Sequence, residues 1–393
     1  MRVLIVNDYA NHSGGAEVAA HGLRAGLRRR GHDARLFASR AGAGAAVEAD
    51  DSTFGTTSRA RGLVQCANPV AARDLRRVVR RFRPDVVHVK LFLTQLSPLI
   101  LPVLREVPAV RDIVWYRAIC PTGLKTLPSG EECHVQPGRV CLRTGCVPAQ
   151  DWPGVMGQLA LARRWSDVFD TVIANSTAAK ELLLESGVEV DHVLAHGARE
   201  APRSLPGPVP LVTFSGRLER SKGADVLIAA FARILREVPD AHLLVAGDGP
   251  EAPALRQQAA ALGIADSVTF SGHVAREDLD ERLAGAWAHV VPSRWREPFG
   301  RSAAEAMMRG VAVVASHTGG LAEQVEHGRT GLLTRPGDER ALAAALASLL
   351  ADCEVAQAFG DAGRERAHAH LSEERSIERL LDIYRDTIER AHA

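Results

Sequence analysis

Arg296-Glu297-Pro298-Phe299-Gly300-Arg301-Ser302-Ala303-Ala304-Glu305-Ala306-Met307 holds two glutamates eight residues apart. Pro298, Phe299 and Gly300 make a turn, and the alanine-rich run after them predicts a helix. Glu297 then stands just before the helix start, and Glu305 about one to two turns inside it. The first N–H groups of a helix have no partner within it, so this end attracts an anion. One carboxylate can address one end of such an anion and the other the opposite end. A nucleotide-sugar, with sugar, diphosphate, ribose and base in series, has that shape.

Outward from this stretch, short apolar runs of β type alternate with longer helical patterns. Strands are predicted at residues 3–6, 34–37, 85–89, 109–114 and 171–174. A second series falls at 211–214, 242–246, 267–270, 289–291, 311–315 and 331–334. Asn175-Ser176 is placed to cap a helix running to residue 184. This alternation is the signature of doubly wound parallel α/β sheets. It pauses at residues 201–210, where four prolines exclude a helix or a central strand and suggest an interdomain linker. The expected division is a first Rossmann-like domain at 1–200 with a cysteine-bearing loop at 117–150, the linker at 201–210, a second Rossmann-like domain at 211–372, and a last helix at 373–393. Two such domains should face each other across a cleft, with ligands at the carboxyl ends of the strands. In the last helix Ile377, Leu380, Leu381 and Tyr384 share one face.

Composition fits an enzyme of this size. At 393 residues, 46% hydrophobic and 24% charged, the chain reads as globular rather than disordered. Residues 1–200 carry 26 Lys and Arg against 20 Asp and Glu; residues 201–393 carry 22 against 27. Halves of opposite sign suggest two units with different partners. No apolar run approaches 18 residues, and residues 1–6 are too short for a signal peptide and read as a buried strand. Six cysteines in so long a chain do not suggest a disulfide scaffold. A cytoplasmic, bacterial protein is expected.

Ser215-Gly216-Arg217-Leu218-Glu219-Arg220-Ser221-Lys222-Gly223 follows a predicted strand and precedes a helix. Arg217 and Lys222 on this loop can clamp a diphosphate and stabilise it as a leaving group. Together with the Glu297–Glu305 run it resembles the retaining GT-B glycosyltransferases of the family 4 type (group 1), a likeness that covers nearly all of the chain and is strongest at 211–340. The resemblance implies that Glu305 holds ribose hydroxyls and that Glu297 orients the sugar. It implies that Gly216, Pro298, Phe299 and Gly300 lie at the donor and that the backbone near His273 and Val274 meets the nucleobase. Gly247-Asp248-Gly249-Pro250 forms a tight turn after a strand, and His317-Thr318-Gly319-Gly320 lies near the donor by resemblance. Ser13-Gly14-Gly15 opens the first long helix, where glycines let backbone N–H groups approach a phosphate or sugar. The G-x-G-x-x-G of dinucleotide dehydrogenases is absent.

One departure concerns the end of the strand at 109–114. The family commonly shows His-Asp there; this chain has Arg111-Asp112. An arginine stays protonated and cannot act as a base. Asp112 is the nearest candidate for a base in the first domain, and using it would invert the product. Cys120, Cys133, Cys141 and Cys146 cluster in the loop at 117–150. A structural zinc there is one reading, though no C-x2-C pair is present, and free or redox thiols are preferred. In the basic run at 73–83, Leu75, Val78, Val79 and Phe82 form a helical face, so a core-packed helix is preferred to a lipid-binding one. Asp278-Leu279-Asp280 matches a metal-holding D-x-D in form only.

The expected activity is retaining transfer of a sugar from a nucleotide diphosphate sugar, UDP favoured, to an acceptor hydroxyl. The resemblance implies that no catalytic metal is required, since Arg217, Lys222 and helix N–H groups supply positive charge. The first acceptor class is a small polar aminocyclitol or sugar of secondary metabolism; the second is a cell-surface or lipid-linked glycan. A noncatalytic nucleotide-sugar binder is the reading from another class. No nucleic acid partner is expected.

Overall fold

The structure is a computed structural model and describes residues 1–11, 14–42, 48–58 and 60–392. Ser13 therefore lies outside the described residues. The chain divides into two compact units, Met1–Ala195 with Ser376–Ala393, and His196–Arg375.

Among the described residues, the first unit holds a parallel sheet in the order β3-β2-β1-β4-β5-β6-β7. Its strands are β1 (Arg2–Tyr9), β2 (Asp33–Ser39), β3 (Asp51–Thr53), β4 (Val86–Val89), β5 (Ala109–Ile113), β6 (Thr171–Ala174) and β7 (His192–Val193). In β1, Val3 stands opposite Ala34 of β2 and Val86 of β4. A parallel sheet is covered on both faces, so its central strands are apolar throughout. Val3, Leu4, Ile5 and Val6 are accordingly fully buried. Leu4 and Val6 pack with Leu75, Val79 and Phe82 of the helix Pro69–Phe82. Val3 and Ile5 face the other way, onto Leu27 and the final helix Glu373–His392 through Ile377, Leu380, Leu381 and Tyr384. Burial of each such side chain contributes about 1.5–3 kcal/mol.

The helix Pro69–Phe82 shows how local sequence sets an element. The side chain of Asn68 accepts the N–H of Ala71, Pro69 occupies the first turn, and Arg83 ends the helix in the left-handed region. Its apolar stripe is the buried one, while Arg77 and Arg81 pair outward with Asp74 and Asp51. No single helix among the described residues is long and apolar enough to cross a membrane.

The second unit, among the described residues, holds a parallel sheet in the order β10-β9-β8-β11-β12-β13. These are β8 (Leu211–Ser215), β9 (His242–Ala246), β10 (Val268–Gly272), β11 (Ala288–Val291), β12 (Ala312–Ser316) and β13 (Gly331–Thr334). Val212, Phe214, Val245, Val290 and Val314 pack with Leu227, Phe231 and Leu346 to form its core.

The proline-rich stretch expected as an interdomain linker is hydrogen-bonded along the second unit. Ser204 N–H donates to the Arg309 carbonyl at 2.7 Å, and Gly207 N–H to the Gly285 carbonyl at 2.8 Å. The Trp287 indole donates to the Gly207 carbonyl at 2.8 Å, and Arg203 pairs with Asp361. Prolines barred it from helix and central strand, but the remaining N–H groups still found partners. The unit boundary falls at Ala195 and His196, ahead of those prolines. β3 and β7 were not expected; they are short strands at the two edges of their sheet, with too few residues for an alternation to show.

Candidate functional site

All strands of the second unit run parallel, so the segments leaving β8, β9, β10, β11 and β12 emerge at one edge of the sheet. The first three are stitched together. Gly216 N–H donates to the Ala246 carbonyl, Leu218 N–H to the Asp248 carbonyl, and Gly247 N–H to the Gly272 carbonyl, at 2.8–3.0 Å. A Cβ on Gly247 would stand 1.9 Å from the Gly216 carbonyl oxygen, so only glycine permits this approach. His273, just beyond β10, is exposed, and Val274 is half-buried.

The turn after β11 is held by the loop after β12. Gly320 N–H donates to the Glu297 carbonyl at 2.8 Å, and the Gln324 side chain donates to the Phe299 carbonyl. A Cβ on Gly319 would meet the Glu297 carbonyl at 2.3 Å. Pro298 and Phe299 are buried, and Gly300 forms the left-handed N-cap of the helix Arg301–Arg309.

Glu297 is 5% exposed. Its Oε1 accepts from Lys222 Nζ at 2.6 Å and from Ser293 Oγ at 2.7 Å. Both bonds fall on one oxygen, so Oε2 has no partner among the described residues. Lys222 Nζ also lies 5.3 Å from the centre of the Trp295 ring. Ser293 and Trp295 were not singled out from sequence; their only signal was position, four and two residues before Glu297. Arg217 does not join Lys222 in this structure. Its side chain is 70% exposed and pairs with Glu219 at 2.8 Å, because an exposed guanidinium takes the nearest carboxylate.

Glu305 sits one turn into its helix and accepts from Arg301 Nε at 2.8 Å. It lines a cavity with Arg199, Leu279, Asp280 and Arg309. Asp280 pairs there with Arg309 at 3.0 Å and Arg199 at 3.4 Å, so the second aspartate of the D-x-D serves as an ion-pair partner. His289 of β11 lies buried behind, hydrogen-bonded to Thr213 and Ser215. Burial first, and then Arg309, push its pKa down to about 3 against the opposing pull of Glu305.

In the first unit, Gly14 caps the helix Gly15–Arg29 through backbone alone. Asp112 is buried and bonded to His88 Nε2 at 3.1 Å and to Lys90 Nζ. The Tyr384 hydroxyl of the last helix closes this chain at His88 Nδ1, 2.9 Å away. The Arg111 guanidinium lies over the rings of Phe92 and Phe169, 5.5 and 5.3 Å from their centres. Burial lowers its pKa to about 10. The cysteine loop is ordered by a turn at 127–130 and the helix Arg139–Arg143. Cys120, Cys133, Cys141 and Cys146 are free thiols. Burial first raises the Cys141 pKa; a hydrogen bond from the Gly138 backbone opposes this, and the neighbouring thiols add to it. Among the described residues no group of three or more potential ligands converges as for a metal.

The sequence matches two family descriptions in tandem: "Glycosyl transferase 4-like domain" at residues 14–197 and "Glycosyl transferases group 1" at residues 199–366. It is 36% identical over 217 residues to a GDP-mannose-dependent alpha-(1-6)-phosphatidylinositol monomannoside mannosyltransferase of Mycobacterium tuberculosis, covering 53% of this chain and 56% of that protein. It is 34% identical over 250 residues to a D-inositol 3-phosphate glycosyltransferase of Thermobispora bispora, covering 58% of each. The chain thus spans just over half the length of these curated relatives. Among solved structures, a sucrose-phosphate synthase from Thermosynechococcus elongatus superposes with a TM-score of 0.74 at 22% identity, covering 99% of this chain and 100% of that one. That likeness establishes the two-domain GT-B fold.

Proposed function

The chain belongs to the group 1 glycosyl transferases, and on that premise we propose that it moves a sugar from a nucleoside diphosphate sugar to an acceptor hydroxyl with retention at the anomeric carbon. The observation that carries this reading is the Lys222–Glu297–Ser293 constellation at the carboxyl edge of the second sheet. An ammonium has three N–H donors. Glu297 takes one and fixes the group in place; the others remain to meet phosphate oxygens. Oε2 of Glu297 is left to accept a sugar hydroxyl or to stabilise positive charge at the anomeric carbon. Arg217 adds the second cation. Its exposed pair with Glu219 is of a kind worth roughly 0–1 kcal/mol, so exchange for a diphosphate is readily favourable.

The nucleoside end falls on neighbouring elements. His273 and Val274 lead into the helix Arg276–Arg282, whose Leu279 and Asp280 line the same cavity as Glu305. Glu305 holds the ribose hydroxyls there. In the transfer, the bond from the anomeric carbon to the phosphate oxygen breaks and the bond to the acceptor oxygen forms on the same face. The acceptor proton passes to the departing phosphate. Arg217, Lys222 and backbone N–H groups stabilise the charge that develops on that phosphate.

The acceptor is a small polar cyclitol or sugar. The relative named for D-inositol 3-phosphate supports that class; the one named for a phosphatidylinositol mannoside supports a lipid-linked glycan as the second. The test is thermal-shift titration of the purified chain with UDP, GDP and their sugars, followed by an acceptor screen with the best donor. Stabilisation by one nucleotide and release of that nucleoside diphosphate on transfer is the expected result. Binding without any turnover would favour a noncatalytic nucleotide-sugar binder.

A further inference from the structure

Cations and counter-charges do not balance around one cavity of the first unit. The cavity is lined by Asp8, Lys90, Phe92, Arg111, Trp115 and Arg117. Lys90 has its carboxylate in Asp112. Asp8 is held by the backbone N–H groups of Thr94, Gln95 and Leu96 at 2.9, 2.7 and 2.9 Å. Arg111 is 7% exposed, and its guanidinium, whose nitrogens keep some contact with solvent, makes neither hydrogen bond nor ion pair among the described residues. Its partners are the faces of Phe92 and Phe169. Arg117 donates from Nη1 to the Pro121 carbonyl, but its buried Nε has no partner.

A buried guanidinium without an anion is strongly destabilising, and stacking on two aromatic faces offsets only part of that. The lowered pKa of Arg111 still lies well above neutrality, so the group keeps its charge. Asp8 is the carboxylate that faces Arg117, so three cations stand against the two carboxylates Asp8 and Asp112, and one positive charge is left in excess. Two planar forks of donors match a phosphate better than a carboxylate, since a phosphate brings up to two charges and three oxygens.

We propose that this cavity is a phosphate subsite for the acceptor, in which Arg111 and Arg117 receive a phosphomonoester carried by the sugar or cyclitol that is glycosylated. The assignment to the acceptor rests on the transferase reading above. It gives Arg111 a task that a histidine at this position would not perform in the same way: a permanently charged, bidentate grip on an oxyanion. The acceptor is then an anionic sugar phosphate or cyclitol phosphate, and its neutral parent is discriminated against.

The test is calorimetric titration of the full chain with inorganic phosphate, a hexose 6-phosphate, the free hexose, and UDP or GDP. We expect phosphate and the hexose phosphate to bind, and the free hexose to bind at least tenfold more weakly. Arg111→Met and Arg117→Met should each lose at least tenfold of the affinity for phosphate. Arg111→Met should melt at or above the wild-type temperature, because it removes an uncompensated charge. Arg111→Lys, which keeps the charge without the fork, guards against a misfolded variant and should bind phosphate more weakly than wild type. Nucleoside diphosphate affinity should stay within about twofold in all three variants. Failure of phosphate and hexose phosphate to bind the wild type, or equal binding by Arg111→Met, would overturn the proposal. Displacement of phosphate by nucleoside diphosphate alone would overturn its assignment to the acceptor. Arg111-dependent phosphate binding in a chain that binds no nucleotide would support the subsite and reject the transferase reading.

Discussion

Lys222 Nζ and Glu297 Oε1 are 2.6 Å apart, joining the loop after β8 to the turn after β11 in one ion pair. The Glu297 side chain is 7% exposed and that of Lys222 28%. The cation assigned to the phosphates and the carboxylate assigned to the sugar therefore hold each other before any donor arrives. Such an arrangement is preorganised, and little rearrangement is needed as leaving-group charge develops.

Lys222→Ala is expected to lower turnover by roughly 100-fold or more, on the scale of losing one oxyanion donor. Arg217→Ala should follow in the same direction. Steady-state kinetics with saturating donor checks both. Losses below about threefold in the two variants would remove the diphosphate clamp from the account.

Glu305→Ala should weaken donor binding, since a carboxylate on ribose hydroxyls acts in the ground state and the transition state alike. The expected loss is about tenfold or more, as for a charged hydrogen bond worth about 1.5–3 kcal/mol. Titration with the nucleoside diphosphate measures it. Unchanged affinity and activity would reassign Glu305 to its pair with Arg301.

Gly247→Ala tests the stitched loops. Its Cβ would press on the Gly216 carbonyl, and Gly247 holds φ at +156°. A loss of about 1–3 kcal/mol in the stability of the second unit is expected, together with weaker donor binding. Denaturant unfolding followed by nucleotide titration gives both values.

His289 links stability to pH. Its folded pKa of about 3 lies below the ordinary 6.5. Between these values the unfolded chain binds one more proton at this site, so stability rises with pH there. The contribution is fully present above pH 6.5 and is lost as the pH falls toward 3, with a slope of at most about 1.4 kcal/mol per pH unit. Unfolding at pH 7 and pH 5 should show a larger drop for wild type than for His289→Gln. Identical drops would contradict the assignment.

The central strands and the glutamate run were legible because each depends on neighbours in sequence. Residues 242–246 and 331–334 appear as strands with the same bounds, and Ser176 caps its helix by accepting the Ala179 N–H. Edge strands of two or three residues carry no such signal. Pairing was harder to read than position. Arg217 and Lys222 looked like partners by spacing, yet each found a carboxylate first. The chain from Asp112 through His88 to Tyr384 joins residues nearly 300 positions apart, which no local pattern reports. The unpaired state of Arg111 is likewise a property of packing: sequence marks the replacement of a histidine, and only the fold shows the two phenyl rings and the missing counter-charge.

The most direct test of the central claim is NMR of the first product formed by purified chain, donor sugar and acceptor. The anomeric proton coupling should match that of the donor, with one nucleoside diphosphate released for each sugar transferred. An inverted product, together with loss of activity in Asp112→Asn, would contradict the account and make Asp112 the base.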